Sequence, residues 1–208
     1  MIDFYFDVSS PWSYLAFRNL VPLAQDLDVS INWRPVLVGG IFNTVNQRMY
    51  ASREDSNSPR NRYMVKDLQD CARQAGVKIV FPPKVFPVNS VKAMRGCVWL
   101  LQGAETKTQL PGFVEALFAA YFTRQEDISQ ADVLAGICRQ TDIDENAFAA
   151  GIVQPEIKDA LKANTDEAIA RGAFGVPSFF VGDDMYFGND RLGLLRLAVL
   201  RAKALTKS

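Results

Sequence analysis

The sequence predicts an α/β domain interrupted by an all-helical insertion. Three observations carry this: an opening that reads strand, helix, strand; a middle built of successive amphipathic helices; and a close that reads helix, strand, strand, helix. Neither end holds enough strands for a stable sheet of its own, so the two ends must meet in one sheet. The expected division is residues 1–38 with 172–208 as a discontinuous α/β domain, and 39–171 as a loop plus helical insertion.

Ile2 to Val8 is apolar and rich in β-favouring residues, Phe4 and Phe6 among them, and reads as the first strand. Ser10 and Pro11 then suit the cap and first turn of a helix. Leu15, Leu20, Ala24 and Leu27 follow at helical spacings, while Pro22 predicts a kink or an early end. Val29 to Val38 reads as the second strand. Residues 39–60 are rich in Gly, Asn, Ser and Arg with poor apolar spacing, and read as a long surface loop with room for a helical turn. Arg62 to Ala75, Val91 to Gln102, Pro111 to Thr123, Ala131 to Gln140, Glu145 to Gly151 and Ile157 to Arg171 read as helices, with the proline-rich FPPKVFPVNS extended between the first two. Ser178 to Val181 and Met185 to Phe187 read as a hairpin about Gly182, and Asn189 or Asp190 can cap a last helix, Arg191 to Ala204.

Composition removes several function classes. Of 208 residues 49% are hydrophobic, enough for a real core, and 23 basic residues balance 23 acidic ones. That balance argues against nucleic acid as a partner, which demands a basic face. The chain has no histidine, so histidine-based triads, general bases and metal sites are out. Cys71, Cys97 and Cys138 are far apart, odd in number and set in helical stretches; they read as small apolar residues in a reducing compartment. The first strand follows Met1 directly and no apolar run approaches a membrane span, so the expectation is a cytoplasmic protein with no membrane contact.

Chemistry concentrates at the two ends. Ser9-Ser10-Pro11-Trp12-Ser13 places a hydroxyl and backbone N–H groups at a helix start, where the open amides favour an anion such as a thiolate. Gly175-Val176-Pro177-Ser178 places an X-Pro bond, the one kind readily cis, just before a strand. Gly188-Asn189-Asp190-Arg191 offers a carboxylate and amides at the last helix start. Each has a plain structural reading as a cap or a loop proline.

Together these features resemble the thioredoxin-like fold, whose redox members begin the first helix with Cys-x-x-Cys. Here Ser10-Pro11-Trp12-Ser13 stands in that place, which removes dithiol exchange. FYFDVSSPWSYLA, GIFN, RYMVKDLQ, FPVNSVKAMR and AFGVPSFFVGDDMYFGNDRL further resemble, in order, the 2-hydroxychromene-2-carboxylate isomerase family, relatives of kappa-class glutathione transferases in the DsbA-like branch. The resemblance covers about residues 2–204 and implies a glutathione cofactor. It puts the glutathione sulfur on Ser10, the cysteinyl backbone on Val176 before Pro177, and the γ-glutamyl end on Asn189 and Asp190. Ser9 and Ser13 remain local or structural hydroxyls. Asn46 is the best match to a family asparagine, and Arg60 stands where the family carries a lysine; Arg keeps the charge but changes the geometry.

The resemblance implies glutathione-dependent cis–trans isomerisation of a small aromatic substrate of the 2-hydroxychromene-2-carboxylate type, with Ser10 the catalytic residue, no metal, and a homodimer as the assembly. Thiolate would add to a conjugated carbon, the bond would rotate, and thiolate would leave. Trp12, Phe42 and Phe86 are candidate walls for an aromatic ring, and Arg60 for a substrate carboxylate. A kappa-type transferase or peroxidase is the alternative, and a non-catalytic thioredoxin-like binding protein is a third reading.

Overall fold

In the computed structural model, residues 1–48 and 58–205 are described. The chain runs β1 (Ile2–Phe6), α1 (Pro11–Asp26), β2 (Ile31–Pro35), α2 (Val38–Val45), α3 (Pro59–Gln74), α4 (Val91–Gln102), α5 (Leu110–Phe118), α6 (Ala131–Gln140), α7 (Glu145–Gly151), α8 (Pro155–Ala170), β3 (Ser178–Val181), β4 (Asp184–Phe187) and α9 (Leu192–Leu205). The two ends meet in one four-stranded sheet of order β2-β1-β3-β4. β2 lies parallel to β1, and β3 antiparallel to it with Tyr5 opposite Ser178.

Period-two alternation divides the aromatic residues of β1 between two cores. Phe4 and Phe6 face α1 and the helical insertion; Phe4 stacks on Phe6 and, across the strands, on Phe179 at ring distances of 5.1 and 5.2 Å. Tyr5 and Phe180 face the opposite way, against Val36, Ile41 and Ala168. The first core continues into the insertion, where Tyr14 of α1 stacks on Phe118 of α5 at 4.8 Å. On the other face, Arg171 donates to Asp3 at 2.7 Å and to the Tyr5 hydroxyl at 3.0 Å, and Tyr5 in turn donates to Glu167 at 2.9 Å. No helix among the described residues is long and apolar enough to cross a membrane.

Three expectations change. Pro22 neither ends α1 nor lies at its edge: the helix runs on to Asp26, with Pro22 on its exposed side. The expected loop after β2 begins instead with α2, whose Ile41 and Phe42 are buried, and ends in the first turn of α3; residues 49–57 lie outside the described residues. α3 starts three residues earlier than the apolar spacing suggests, because Ser58 accepts from the Asn61 N–H at 3.2 Å and Pro59 supplies the first turn. Smaller differences are the shorter β1 and β2, a π turn over Ala119–Thr123 that closes α5, and a 3-10 turn at Asn189–Arg191 ahead of α9.

Candidate active site

The turn from β1 to α1 sets Ser10 in extended backbone (φ −97°, ψ 119°) as the N-cap of α1. Its hydroxyl oxygen accepts from the Ser13 N–H at 3.2 Å, and its carbonyl accepts from the Tyr14 N–H at 3.2 Å. Pro11 has no N–H to offer. The Trp12 N–H is thus the one amide of this first turn without an acceptor among the described residues. It points the electrostatic field of the helix start at whatever lies beside Ser10. The Ser13 hydroxyl is fully buried and has no hydrogen-bond partner among the described residues, so Ser13 belongs to the core side of the turn.

Antiparallel pairing carries the Val176–Pro177 segment to Ser10. The Val176–Pro177 peptide is cis. Ser10 Oγ lies 3.5 Å from the Val176 carbonyl oxygen, a long hydrogen bond that an incoming acceptor can displace. The Val176 N–H has no acceptor among the described residues. Around this pair the loop is tied down: Ser178 Oγ donates to the Gly175 carbonyl at 2.9 Å, and the Gly188 N–H donates to the Pro177 carbonyl at 3.0 Å. That last bond draws the Asn189–Asp190 turn toward Pro177.

The remaining candidates fall at different distances from this centre. Asn46, just past α2, donates to the Phe174 carbonyl at 3.0 Å and so joins the 174–177 loop. Asn189 accepts from Asn19 of α1 at 3.1 Å, and Asp190 pairs with its neighbour Arg191 at 2.6 Å while remaining exposed. The Asp190 charge reaches α3, where it adds to the burial that pushes up the Cys71 thiol. Arg60 lies exposed in the first turn of α3, with no hydrogen bond or ion pair to these groups. The structure brings Val176 and Pro177 to Ser10, ties Asn46 to the same loop through Phe174 and Asn189 to it through Gly188, and shows no hydrogen bond from Arg60 to any of these groups.

Of the expected aromatic walls, Trp12 is partly buried, Phe42 is 8% exposed, and Phe86 packs edge-on against Phe81 at 5.2 Å. Two other rings were not legible in the sequence. Phe174 and Phe187 stand 4.4 Å apart and 40% and 38% exposed, over Gly175, where an added Cβ would lie 3.1 Å from Phe187 and 3.7 Å from Phe42. The cysteines offer no nucleophile: burial raises the Cys97 thiol and pushes Cys138 up to about 12.

A residue missed altogether is Asp7, 1% exposed beneath the Ser10 turn. Burial pushes its carboxyl up, against the hydrogen bonds from Ser9, Val38 and Ser90 that favour the ionised form.

The donor set suits a peptidic thiol. A hydroxyl and an open amide at a helix start stabilise a sulfur anion, and the free N–H and lightly engaged C=O of Val176 match the backbone of one residue in extended form. An exposed carboxylate at Asp190 suits an ammonium group.

Comparison with known proteins agrees with this frame. Residues 1–199 match the family model described as a DSBA-like thioredoxin domain. A 2-hydroxychromene-2-carboxylate isomerase of Pseudomonas putida is 30% identical over 97% of this chain and 95% of its own. Human glutathione S-transferase kappa 1 is 25% identical over 93% of this chain and 88% of its own. The solved structure of a 2-hydroxychromene-2-carboxylate isomerase superposes with a TM-score of 0.78 at 30% identity, covering 99% of this chain and 97% of the other.

Proposed function

This chain belongs to the DsbA-like thioredoxin family and, within it, to the 2-hydroxychromene-2-carboxylate isomerase family, and from that premise we propose that it is a glutathione-dependent cis–trans isomerase of 2-hydroxychromene-2-carboxylate-like aromatic compounds. The observation that carries the reading is the pairing of a serine hydroxyl, with no thiol of its own, against the backbone of Val176 at the open start of α1.

Glutathione, when bound, supplies a nucleophilic thiolate that adds reversibly to a conjugated carbon. Ser10 turns its O–H from the Val176 carbonyl to the sulfur, and the Trp12 N–H adds a second donor. Together they favour the thiolate over a thiol whose ordinary pKa is about 8.5. Val176 holds the peptide backbone, Asp190 receives its ammonium, and Asn189 and Asn46 border the two ends. The exposed Phe174–Phe187 pair offers an aromatic face for the substrate, beside the loop that holds the thiol. Arg60, always charged, suits a carboxylate arriving from solvent.

The test is to follow isomerisation of 2-hydroxychromene-2-carboxylate with and without glutathione. Turnover that needs glutathione and leaves its concentration unchanged supports the reading. Turnover without glutathione overturns it. The likeness to the human kappa-class transferase favours conjugation as the second reading, and net glutathione consumption with a chlorinated nitrobenzene, without isomerisation, would establish it.

A further inference from the structure

Three chain segments converge on one buried carboxyl group beneath the Ser10 turn. Asp7 Oδ1 accepts the Ser9 N–H at 2.9 Å, while the Asp7 carbonyl accepts the Ser10 N–H at 3.0 Å; together they fold the turn that presents Ser10. Asp7 Oδ2 accepts the Val38 N–H at 2.9 Å and the Ser90 hydroxyl at 3.1 Å. Val38 is the first residue of α2, whose own cap residue, Leu37, has no side chain able to accept. Ser90 is the cap residue of α4 yet makes no cap hydrogen bond there; its hydroxyl is spent on Asp7. One carboxylate thus does for α2 what a local cap does in other helices and holds the start of α4 beside it.

The arrangement is costly. Asp7 is 1% exposed and forms no ion pair with any described residue, so its carboxyl is held by N–H and O–H donors alone while burial pushes its pKa up. Burial keeps the Cys97 thiol of α4 protonated, and an ionised Asp7 pushes it the same way. An Asn in its place has one acceptor oxygen, and its amide N–H₂ would meet a backbone N–H donor at either the Ser9 or the Val38 side. The site has a reason for the expense. The Ser10 turn and the start of α2 meet at this carboxyl, and α2 ends at Asn46, which bonds the Phe174 carbonyl of the Val176 loop.

We propose that Asp7 is a positioning residue for the thiolate site: through the Ser9 and Val38 amides and the Ser90 hydroxyl it holds the Ser10 turn against α2, and so aims the Ser10 hydroxyl and the Trp12 amide at one point. This rests on the glutathione reading for its ligand, and on the geometry alone for its effect on any thiol at that point.

The experiment measures a thiol pKa in two settings. In the first, the bound glutathione thiolate is read by its ultraviolet absorbance as pH is varied, in the wild type, Asp7→Asn and the milder Ser90→Ala. In the second, Ser10→Cys is made with and without Asp7→Asn, and the pKa of the introduced thiol is read from its rate of alkylation. The sign discriminates. Removing a nearby negative charge by itself eases thiolate formation and lowers the pKa. Losing the aimed donors raises it. The expected result is a rise of about one unit for Asp7→Asn in both settings, a tenfold loss of thiolate at fixed pH below the pKa, with a smaller rise for Ser90→Ala. Affinity for S-methylglutathione, which has no thiol proton, should change less than threefold, on the order of a rim contact. An unchanged or lowered pKa in folded Asp7→Asn overturns the proposal, and so does a melting temperature that drops while both pKa readings stay put. If the wild type shows no glutathione thiolate signal, the glutathione reading falls while the Ser10→Cys pair still decides the role of Asp7.

Discussion

Ser10 Oγ and the Val176 carbonyl oxygen lie 3.5 Å apart although 166 residues separate them in the chain. Strand direction explains the meeting. β3 runs antiparallel to β1, so the residues just after β1 and just before β3 share one edge of the sheet. β2 runs parallel to β1 and ends at the same edge, where the Val36 N–H bonds the Phe6 carbonyl. The Ser10 turn, the start of α2 and the Val176–Pro177 loop therefore open onto one place. The insertion between β2 and β3 leaves this strand order intact and reaches the centre through Ser90, whose hydroxyl bonds Asp7 beneath the Ser10 turn.

Replacing Ser10 with Ala tests the hydroxyl. The cap loss alone costs about 1 kcal/mol, a fall of about 2–4 °C in Tm for a chain of this size. The loss of a donor aimed at a sulfur anion is larger in effect, on the order of a hundredfold in turnover. Isomerase kinetics beside a thermal melt read both. Turnover within threefold of wild type would remove Ser10 from the reaction.

Gly188→Ala should weaken both the fold and the ligand. Gly188 has φ 101° and ψ 151°, a region open to glycine alone, and an added Cβ would lie 2.7 Å from Asp190 Oδ1. The cost is about 1–3 kcal/mol of stability if the turn holds. Alternatively the turn rotates, and the Gly188–Pro177 hydrogen bond that ties Asn189 and Asp190 to the site is lost. Urea melts and glutathione calorimetry on the same sample distinguish the two routes; a variant normal in both would show that the turn carries neither load.

The parts of this molecule legible in its sequence are those whose cause is local. The helices over 91–102, 131–140 and 145–151 stand where apolar spacing places them, because each buries a face that its own periodicity defines. α2 was not legible. VGGIFNTV has two glycines and β-branched residues, poor helix formers, and its order comes from afar: Asp7 takes its first amide and Gly40 lets it approach Thr165 of α8, to which an added Cβ would lie 3.2 Å. Asp7 reads in sequence as the end of a strand, since its partners Val38 and Ser90 lie 31 and 83 residues on. Phe174 and Phe187 likewise become a pair only through the β3–β4 hairpin. Ser10 and Val176 were each visible as motifs; their distance was not.

Gly96→Ala should destabilise the insertion, although Ala is the better helix former. Gly96 lies in buried α4, where an added Cβ would lie 2.4 Å from Phe148 Cε2, with Phe113 at 3.3 Å behind the same contact. Phe148 is wedged between Trp99 and Phe113, so its ring has no room to retreat. Overpacking of about 1–3 kcal/mol exceeds the gain of about 1 kcal/mol in helix propensity. Equilibrium urea unfolding decides, and a variant as stable as wild type would mean that α7 slides freely on α4.

Asp3 should give the fold an acid-sensitive component of defined sign. Burial by itself raises its pKa from the usual 3.8, but hydrogen bonds from Arg171 and Asn32, with the charges of Arg171 and Arg34, outweigh burial and leave it lowered. A carboxyl whose pKa is lower folded than unfolded adds stability above the unfolded value, and loses it as pH falls through the folded one. Asp3→Asn should therefore be less stable than wild type at pH 7, by about 1–2 kcal/mol for a charge-assisted hydrogen bond that is only partly shielded from water. The gap should close progressively once pH drops below the ordinary carboxylate range. Asp7, whose pKa is shifted the other way, is present in both proteins and cancels from the difference. Unfolding free energies of the pair measured from pH 7 down to about pH 2.5, below the usual Asp value, test this; a gap that stays constant with pH would show that Asp3 and Arg171 do not interact as charges.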